Sequence, residues 1–434
     1  MNCYLEYGEQ KLAFLIVKNI GPISKVQIEI TDDITAIIGP NASGKTFLSL
    51  SYLSVLESIS APLTSEWKSD IDLTNYLKEK IKSDEFEIDS LHLKGIIEKS
   101  LQESFSKSLK NNFGVETDKL ISTKKREALI SYSLESFTIE FKITHKDITC
   151  NFDQLEAIKI PVSISRFVSP GGFGSAGIKD NKILITATDK ITEDSIFNLL
   201  IGQCMAYILK QNVAWPFGIA FLPTERGIAM AVFNGLVSLY LLNMSVNVFQ
   251  QPFASQLLQN SNVPRMDKPS VQKFLSDLFG SFNILKNKEI TIPDLHLKYT
   301  VGSTPVIQVK VDDHSIPSSL LSSGYSQLIP IDILGRTHQL IIIEEPELNL
   351  HAGLQKSMAQ YLFNLNKRLF LTTHSEILLV QLGILSKKLK KQLKVYLLND
   401  GTTTELNVMN NGDIDNILTI SNVLNEQARE LTGD

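Results

Sequence analysis

The chain has 434 residues, a formal charge of −5 and 43% apolar content. That length accommodates two or three domain-sized units, and the ordinary balance of apolar and charged residues excludes a disordered or fibrous chain. The mild acidity excludes a global basic field for nucleic acid and leaves only local patches. Cys3, Cys150 and Cys204 lie far apart without metal-ligand spacing, a usage typical of a reducing compartment. Met1–Gln10 carries charges and no signal core, so a cytoplasmic protein is expected.

Leu12–Lys18 and Val26–Ile30 are expected strands about a Gly21-Pro22 turn. Ile34–Ile38 is an apolar run with the look of a buried strand, and Phe47–Leu53 has helical spacing. Between them, Gly39-Pro40-Asn41-Ala42-Ser43-Gly44-Lys45-Thr46 spells G-x-x-x-x-G-K-T in the strand–loop–helix setting of a phosphate-binding loop. The glycines let backbone N–H groups wrap a phosphate chain at a helix N-terminus. Lys45 is placed to reach β- and γ-phosphates, and the Thr46 hydroxyl to ligate Mg²⁺.

From 63 to 135 the sequence predicts an α-helical insertion, carried by charged segments of helical period such as Tyr76–Ile81 and Leu101–Ser106. It is too short for a long coiled-coil arm. Strands are expected at Ser136–Ile143, Ile158–Ser163 and Lys182–Ile185, with Pro161 confining the second to a sheet edge. Phe217–Leu222 is another apolar strand and leads into Pro223-Thr224-Glu225-Arg226. Helices are expected over Ile228–Phe279. Gly227–Pro264 carries no charge, yet Asn234, Ser238, Asn243 and Asn247 interrupt it and no lysine or arginine anchors its C-terminal end. It reads as a buried helix rather than a membrane span. A hairpin region follows at Ile290–Ile292, Leu295–Val301 and Val306–Val311.

Leu321-Ser322-Ser323-Gly324-Tyr325-Ser326-Gln327 precedes an apolar run. Ser322, Ser323 and the Gly324 amide offer a second anion-binding surface at a helix start; a plain serine-rich turn is the alternative. Gln339–Ile343 is an apolar strand ending in Glu344-Glu345. Beside a phosphate loop, Glu344 would face Mg²⁺ through water, and Glu345 would orient or deprotonate an attacking water. Pro346–His351 is a proline-led turn that holds the acids. Leu369-Phe370-Leu371-Thr372-Thr373-His374-Ser375 is a further strand ending in a histidine able to contact a γ-phosphate. Lys387–Lys394 is a basic cluster expected at a solvated helix end.

Phosphate loop, serine signature, Glu-Glu strand and Thr-Thr-His-Ser occur in an order that resembles the ABC-type ATPase head, in the branch holding the SMC and RecF-type repair ATPases. The chain is most similar to the AAA-15/AAA-21 group, the OLD-like ATPases of defence systems. The strings carrying this are Ile37–Thr46, Ser322–Gln327, Glu344–His351 and Thr372–Ser375. The resemblance implies an α/β fold, with a mixed central sheet, an antiparallel β subdomain and the helical insertion. Residues 1–62 would be the N-terminal part of the ATPase lobe with the P-loop, and 63–135 the insertion. Residues 136–285 would supply the remaining strands and a helical subdomain, and 286–434 the C-terminal lobe with signature, Walker B strand and switch histidine.

It further implies ATP hydrolysis to ADP and phosphate with Mg²⁺, in a head-to-tail homodimer that traps two ATP molecules. Lys45 and Thr46 of one protomer would hold phosphate and metal, while Ser322, Ser323 and Gly324 of the other cap the γ-phosphate. Glu345 would be the general base, His374 the switch residue, Glu344 the second metal-side group, and Asn349 and His351 would lie at the dimer seam. Glu344 stands where many ABC proteins carry Asp. No Q-loop glutamine is evident, so Thr224 or Glu225 is its candidate replacement, and Lys18 and Asn19 are candidates for the edge of the base pocket. The expected role is an antiviral-defence or toxin-like ATPase controlling a partner effector. The alternative is a DNA-repair or chromosome-associated ATPase, with the lysines of 78–127 and 387–394 as candidate DNA surfaces. A transporter subunit is opposed by the LSSGYSQ signature, and a non-hydrolysing scaffold by Glu345. Sixty residues follow His374, fewer than the TOPRIM nuclease of OLD-type proteins needs, and Asp413-Ile414-Asp415 reads as a turn. No nuclease within the chain is expected.

Overall fold

The computed structural model describes residues 13–60, 71–123, 125–134, 137–154, 157–169, 171–212, 218–227, 269–302, 307–311, 314–317, 322–415 and 429. Two compact units are present. One comprises Met1–Ile16, Ser54–Ser108 and Arg126–Trp215, the other Val17–Leu53, Leu109–Lys125 and Pro216–Asp434.

The second unit holds the phosphate loop. Its strands run in the order Ile219–Leu222, Leu340–Glu344, Arg368–Thr373, Ile34–Ile38, Leu393–Asn399, Thr402–Leu406, Ile23–Ile30. The first five are parallel to their neighbours, and Leu393–Asn399 and Thr402–Leu406 form an antiparallel hairpin. Ile34–Ile38, Ile219–Leu222 and Leu340–Glu344 are buried along their whole length. Strands covered on both faces need continuous apolar runs, which is why these segments do not alternate. Each such Ile or Leu contributes about 1.5–3 kcal/mol on burial.

The register has a functional consequence. Glu344 pairs with Thr372, and Thr373 with Ile38. The acids, the Thr-Thr-His turn and the start of the phosphate loop therefore emerge at the C-terminal edge of one parallel sheet, where α/β folds bind ligands.

Around this sheet stand the helices Pro269–Leu285, Ser323–Thr337, Ala352–Asn364 and Glu376–Leu389. The expected hairpin region forms a four-stranded antiparallel sheet of Glu289–Ile292, Leu297–Val301, Ile307–Val311 and His314–Pro317. Phe274, Tyr299, Leu328, Ile341 and Leu371 belong to one continuous core. At its centre, Asp332 is wholly buried. It accepts from Tyr299 Oη at 2.5 Å, Tyr361 Oη at 2.6 Å and Arg336 Nε at 2.7 Å.

In the first unit, Glu127–Leu134, Phe137–Thr144 and Ile148–Gln154 form an antiparallel meander, and Phe137, Ile139 and Phe141 alternate inward as expected. A second sheet has the order Glu85–Asp89, Lys159–Phe167, Lys182–Thr188, Gly174–Lys179. This corrects one expectation, because the Pro161 strand is interior, not an edge. Pro161 pairs across to Glu87, but the ladder to Lys182–Thr188 starts only at Val162. The missing N–H therefore removes no bond on that side. Within 63–135, expected to be helical, helices Ile71–Lys80 and Lys94–Phe113 occur together with strands Glu85–Asp89 and Glu127–Leu134.

Of the expected helices over Ile228–Phe279, the part from Pro269 is helical. Residues 228–268, with nearly all of the segment weighed as a membrane span, lie outside the described residues. Among the described residues no helix is long and apolar enough to cross a membrane. Asp413 lies in a tight turn as expected, with Met409 N–H bonded to its carbonyl at 2.7 Å.

Candidate functional site

Strand Ile34–Ile38 stops at Gly39, and helix Lys45–Ser60 begins six residues later. Gly39 adopts φ +154°, and a Cβ there would meet the Leu398 carbonyl oxygen at 2.1 Å. Gly44 sits at φ +108° against Pro22 and Ile23. Both positions need glycine to let the loop close. Lys45 Nζ donates to the carbonyls of Gly39 at 3.0 Å and Pro40 at 2.9 Å. Burial holds its ammonium below the ordinary value, while the charges of Glu345, Glu344 and Glu347 pull it back up.

The acid strand delivers three carboxylates with separate surroundings. Glu344 is buried, and burial pushes its carboxyl up to about 7 against a hydrogen bond from Thr46. Glu345 leaves the strand in the left-handed region at φ +47°, its N–H held by the Thr372 carbonyl at 2.8 Å. Such a conformation is strained for a residue with a side chain. It aims the carboxylate at His374, with Nε2 3.6 Å from Oε1. Glu347 turns back inward and accepts the His374 N–H at 2.7 Å, and burial raises its carboxyl too. His374 is half-buried. Burial and the charge of Lys45 lower its imidazole below the ordinary value, with Glu345 opposing. It is neutral at pH 7, free to donate or accept one hydrogen bond.

Lys45, Thr46, Glu344, Glu345 and His374 thus form one cluster, assembled from segments that are some 330 residues apart in the chain. Ser322, Ser323 and Gly324 are placed otherwise. Ser322 caps helix Ser323–Thr337, taking the Tyr325 N–H at 3.4 Å and, through its carbonyl, the Ser326 hydroxyl at 3.2 Å. Gly324 faces Asn349 and Leu350. These contacts run to their own helix and to the acid turn rather than to the phosphate loop, and Ser322 and Ser323 are exposed. His351 caps helix Ala352–Asn364 through Nδ1, which takes the Leu354 N–H at 3.4 Å. Asn349 is left-handed at φ +62°. Ser375 caps Glu376–Leu389 and donates to Gln355 Oε1 at 2.6 Å, while Gln355 Nε2 donates to the Leu350 carbonyl at 2.7 Å. The acid turn and the histidine turn are therefore stitched together.

The Pro223–Arg226 turn reaches the acids as well. Glu225 acts electrostatically on Glu344, and Thr224 Oγ1 donates to Glu225 Oε2 at 3.1 Å. The sequence did not reveal the part played by Arg226, which is wholly buried. It donates from Nη1 to the carbonyls of Glu344 at 2.6 Å and Pro223 at 3.0 Å, and from Nη2 to that of Glu345 at 2.7 Å. Burial drives its guanidinium down to about 10. The available signal was an arginine placed directly after an apolar strand and a proline turn. Glu347 and Gln355 were likewise not singled out for side-chain roles. Asn19, a candidate for the base pocket, is left-handed at φ +58° and its carbonyl accepts the Ser122 N–H at 2.8 Å.

The residues fit Mg²⁺. Thr46 and Glu344 already share a hydrogen bond, and Glu344 Oε1 is buried with no hydrogen-bond partner. Among the described residues no cluster of three or more His, Cys, Asp or Glu could hold a metal. A cation there would be held by one carboxylate, one hydroxyl and substrate phosphates.

The AAA ATPase domain family model matches residues 242–379, about a third of the chain. No curated protein matches it in sequence. Similar solved structures include an SMC head bound to the C-winged helix domain of ScpA, at 10% identity and TM-score 0.41, covering 91% of this chain and 96% of that one. The SMC head domain from Thermotoga maritima matches at 11% identity and TM-score 0.34, over 91% of this chain and 97% of that one. The recombination mediator protein RecF of the RecFOR pathway matches at 11% identity and TM-score 0.35, over 92% and 99%. A phosphate loop beside paired acids and a histidine turn on a parallel sheet is the arrangement of a P-loop nucleotide-binding fold. Residues 242–379, which include the signature, acid and histidine segments, are similar to the AAA ATPase domain family.

Proposed function

We propose that the chain binds and hydrolyses ATP, and that it does so as a head-to-tail homodimer. The observation that carries hydrolysis is the left-handed Glu345, whose carboxylate sits on His374. Lys45 leaves the loop carbonyls and binds the β- and γ-phosphate oxygens. Thr46 Oγ1 and Glu344 would hold Mg²⁺, which would supply charge neutralisation to the nucleotide phosphates. Glu345 takes a proton from a water as that water's oxygen bonds to the γ-phosphorus, and the bond to the bridging β-oxygen breaks with its electron pair going to ADP. His374, neutral, donates a hydrogen bond to the γ-phosphate, and Glu347 fixes the backbone that carries it.

The exposed serine signature supports the dimer. Ser322, Ser323 and the Gly324 amide lie at a helix N-terminus and, among the contacts described, make no bond to their own phosphate loop, so they are free to cap a γ-phosphate held by a second copy. ATP then joins the two heads and hydrolysis releases them. Asn349, next to Gly324, would lie on the same seam together with His351.

The wider role we propose is control of a partner effector in an antiviral or toxin-like system, on the strength of the motif resemblance. Part of the candidate DNA-binding charge is paired within the chain. Of the candidate DNA-binding lysines, Lys394 pairs with Glu405 at 2.6 Å and Glu29 at 3.3 Å, Lys391 with Asp33 at 3.8 Å, and Lys110 with Glu116 at 2.6 Å. Light scattering on the Glu345→Gln protein tests the whole reading. Doubling of mass with ATP and Mg²⁺, and no co-elution of duplex DNA, is the expected result. An unchanged mass removes the sandwich, and DNA co-elution moves the role to repair.

A further inference from the structure

Among the described residues, Arg226 Nε and Gln327 Oε1 are buried with no hydrogen-bond partner, as are Glu344 Oε1 and Glu347 Oε2 of the acids themselves. Of the first two, one is a donor and the other an acceptor. Their residues are already neighbours through Gly227, where an added Cβ would lie 2.6 Å from Gln327 Nε2 and 3.8 Å from Oε1. Gln327 is in the first turns of the helix that begins with the serine signature, and Arg226 grips the carbonyls of Glu344 and Glu345. Gln327 thus packs against the backbone that follows Arg226, and Arg226 is bonded to the backbone of the proposed base.

We propose that Arg226 is a positioning residue for Glu345, and that Gln327 is its trigger: engagement of the signature helix brings Gln327 Oε1 onto Arg226 Nε and fixes Glu345 for attack. This rests on the ATPase reading above and adds a regulatory path to it. In the unengaged head the two groups stay unpaired, a state that a buried donor and acceptor disfavour. Pairing them favours the engaged arrangement, so turnover becomes conditional on closure. Arg226 donates to the backbone carbonyls of Pro223, Glu344 and Glu345. It acts through the backbone on which Glu345 is mounted, at a left-handed position where the carboxylate direction depends on that backbone.

The test is a double-variant cycle on the full chain. Arg226→Lys, Gln327→Leu, the double variant and Gln327→Glu are compared with the parent for kcat by phosphate release, for affinity by a fluorescent ATP analogue, and for thermal midpoint. Arg226→Lys is expected to lower kcat about 10²-fold, the effect of misplacing a catalytic group by about 1 Å, with nucleotide affinity nearly unchanged. Gln327→Leu is expected to lower kcat about tenfold, and the double variant to be no worse than Arg226→Lys alone. Gln327→Glu keeps an acceptor oxygen and restores most of the loss. Effects that multiply in the double variant, or a Gln327→Leu protein with full turnover, overturn the coupling, and affinity falling in step with kcat overturns the positioning role. If Arg226→Lys fails to fold, Gln327→Leu and Gln327→Glu decide alone. A parent chain that hydrolyses no ATP overturns the ATPase reading and this inference with it, whereas an active parent with silent variants overturns only the inference.

Discussion

The phosphate side and the signature side of the candidate site are built to different standards. On the phosphate side Lys45, Glu344 and Glu347 are buried, and the histidine turn is tied to the acid turn through Glu347 and through the Ser375–Gln355–Leu350 relay. On the signature side Ser322 and Ser323 are exposed, and Ser322 bonds only within its own first turn among the contacts described. A half-site braced from within is ready for its ligand. A half-site with free donors at a helix start needs something brought to it. That contrast is what a nucleotide shared between two copies would require.

Glu345→Gln should break the phosphate side most severely, lowering turnover about 10³-fold while ATP still binds; turnover within tenfold of the parent in a phosphate-release assay removes Glu345 as the base. Lys45→Ala should weaken ATP binding about 10²-fold by equilibrium titration, and retained affinity would mean that the loop's amides alone hold the phosphates. pH sharpens the same half. Glu344 keeps its proton below about 7, and a metal ligand must be ionised. Mg²⁺-dependent nucleotide binding should therefore weaken about tenfold from pH 8 to 6, and Glu344→Gln should flatten that slope. On the signature side, Ser322→Arg should leave the monomer's ATP affinity within about threefold and abolish the ATP-dependent doubling of mass; doubling that survives would contradict the sandwich. Smallest of all, Ser322→Ala removes a helix cap and should cost about 1 kcal/mol in urea unfolding. A loss above about 3 kcal/mol would show the signature to be braced as deeply as the acids.

Much of this was legible in the sequence where one short stretch carries its own context. The phosphate loop announces itself because strand, glycines, lysine and helix are contiguous. The Glu-Glu pair follows an apolar run that only a doubly covered strand explains. Legibility failed where the cause was distant or against type. Arg226 lies far along the chain from Glu344, and a fully buried arginine contradicts what composition leads one to expect. It is accommodated because backbone carbonyls and nearby carboxylates offset its desolvation. Pro161 misled because an edge-strand rule looks at the residue alone, whereas the observed ladder simply begins one position later. The left-handed turn at Glu345 has no sequence signature, since glutamate is not a residue that favours it.

Asp332 anchors the signature helix in the core. The helix Ser323–Thr337 spans about 22 Å at 1.5 Å per residue, and Asp332 ties its second half to Tyr299 in the antiparallel sheet and to Tyr361 in helix Ala352–Asn364. Removing one of those partners would leave the buried carboxylate with one hydrogen bond fewer, at a cost. The serine turn is the far end of a helix whose second half is tied into the core. The turn proposed to meet a second copy is thus joined, along a single helix, to a carboxylate at the centre of the core.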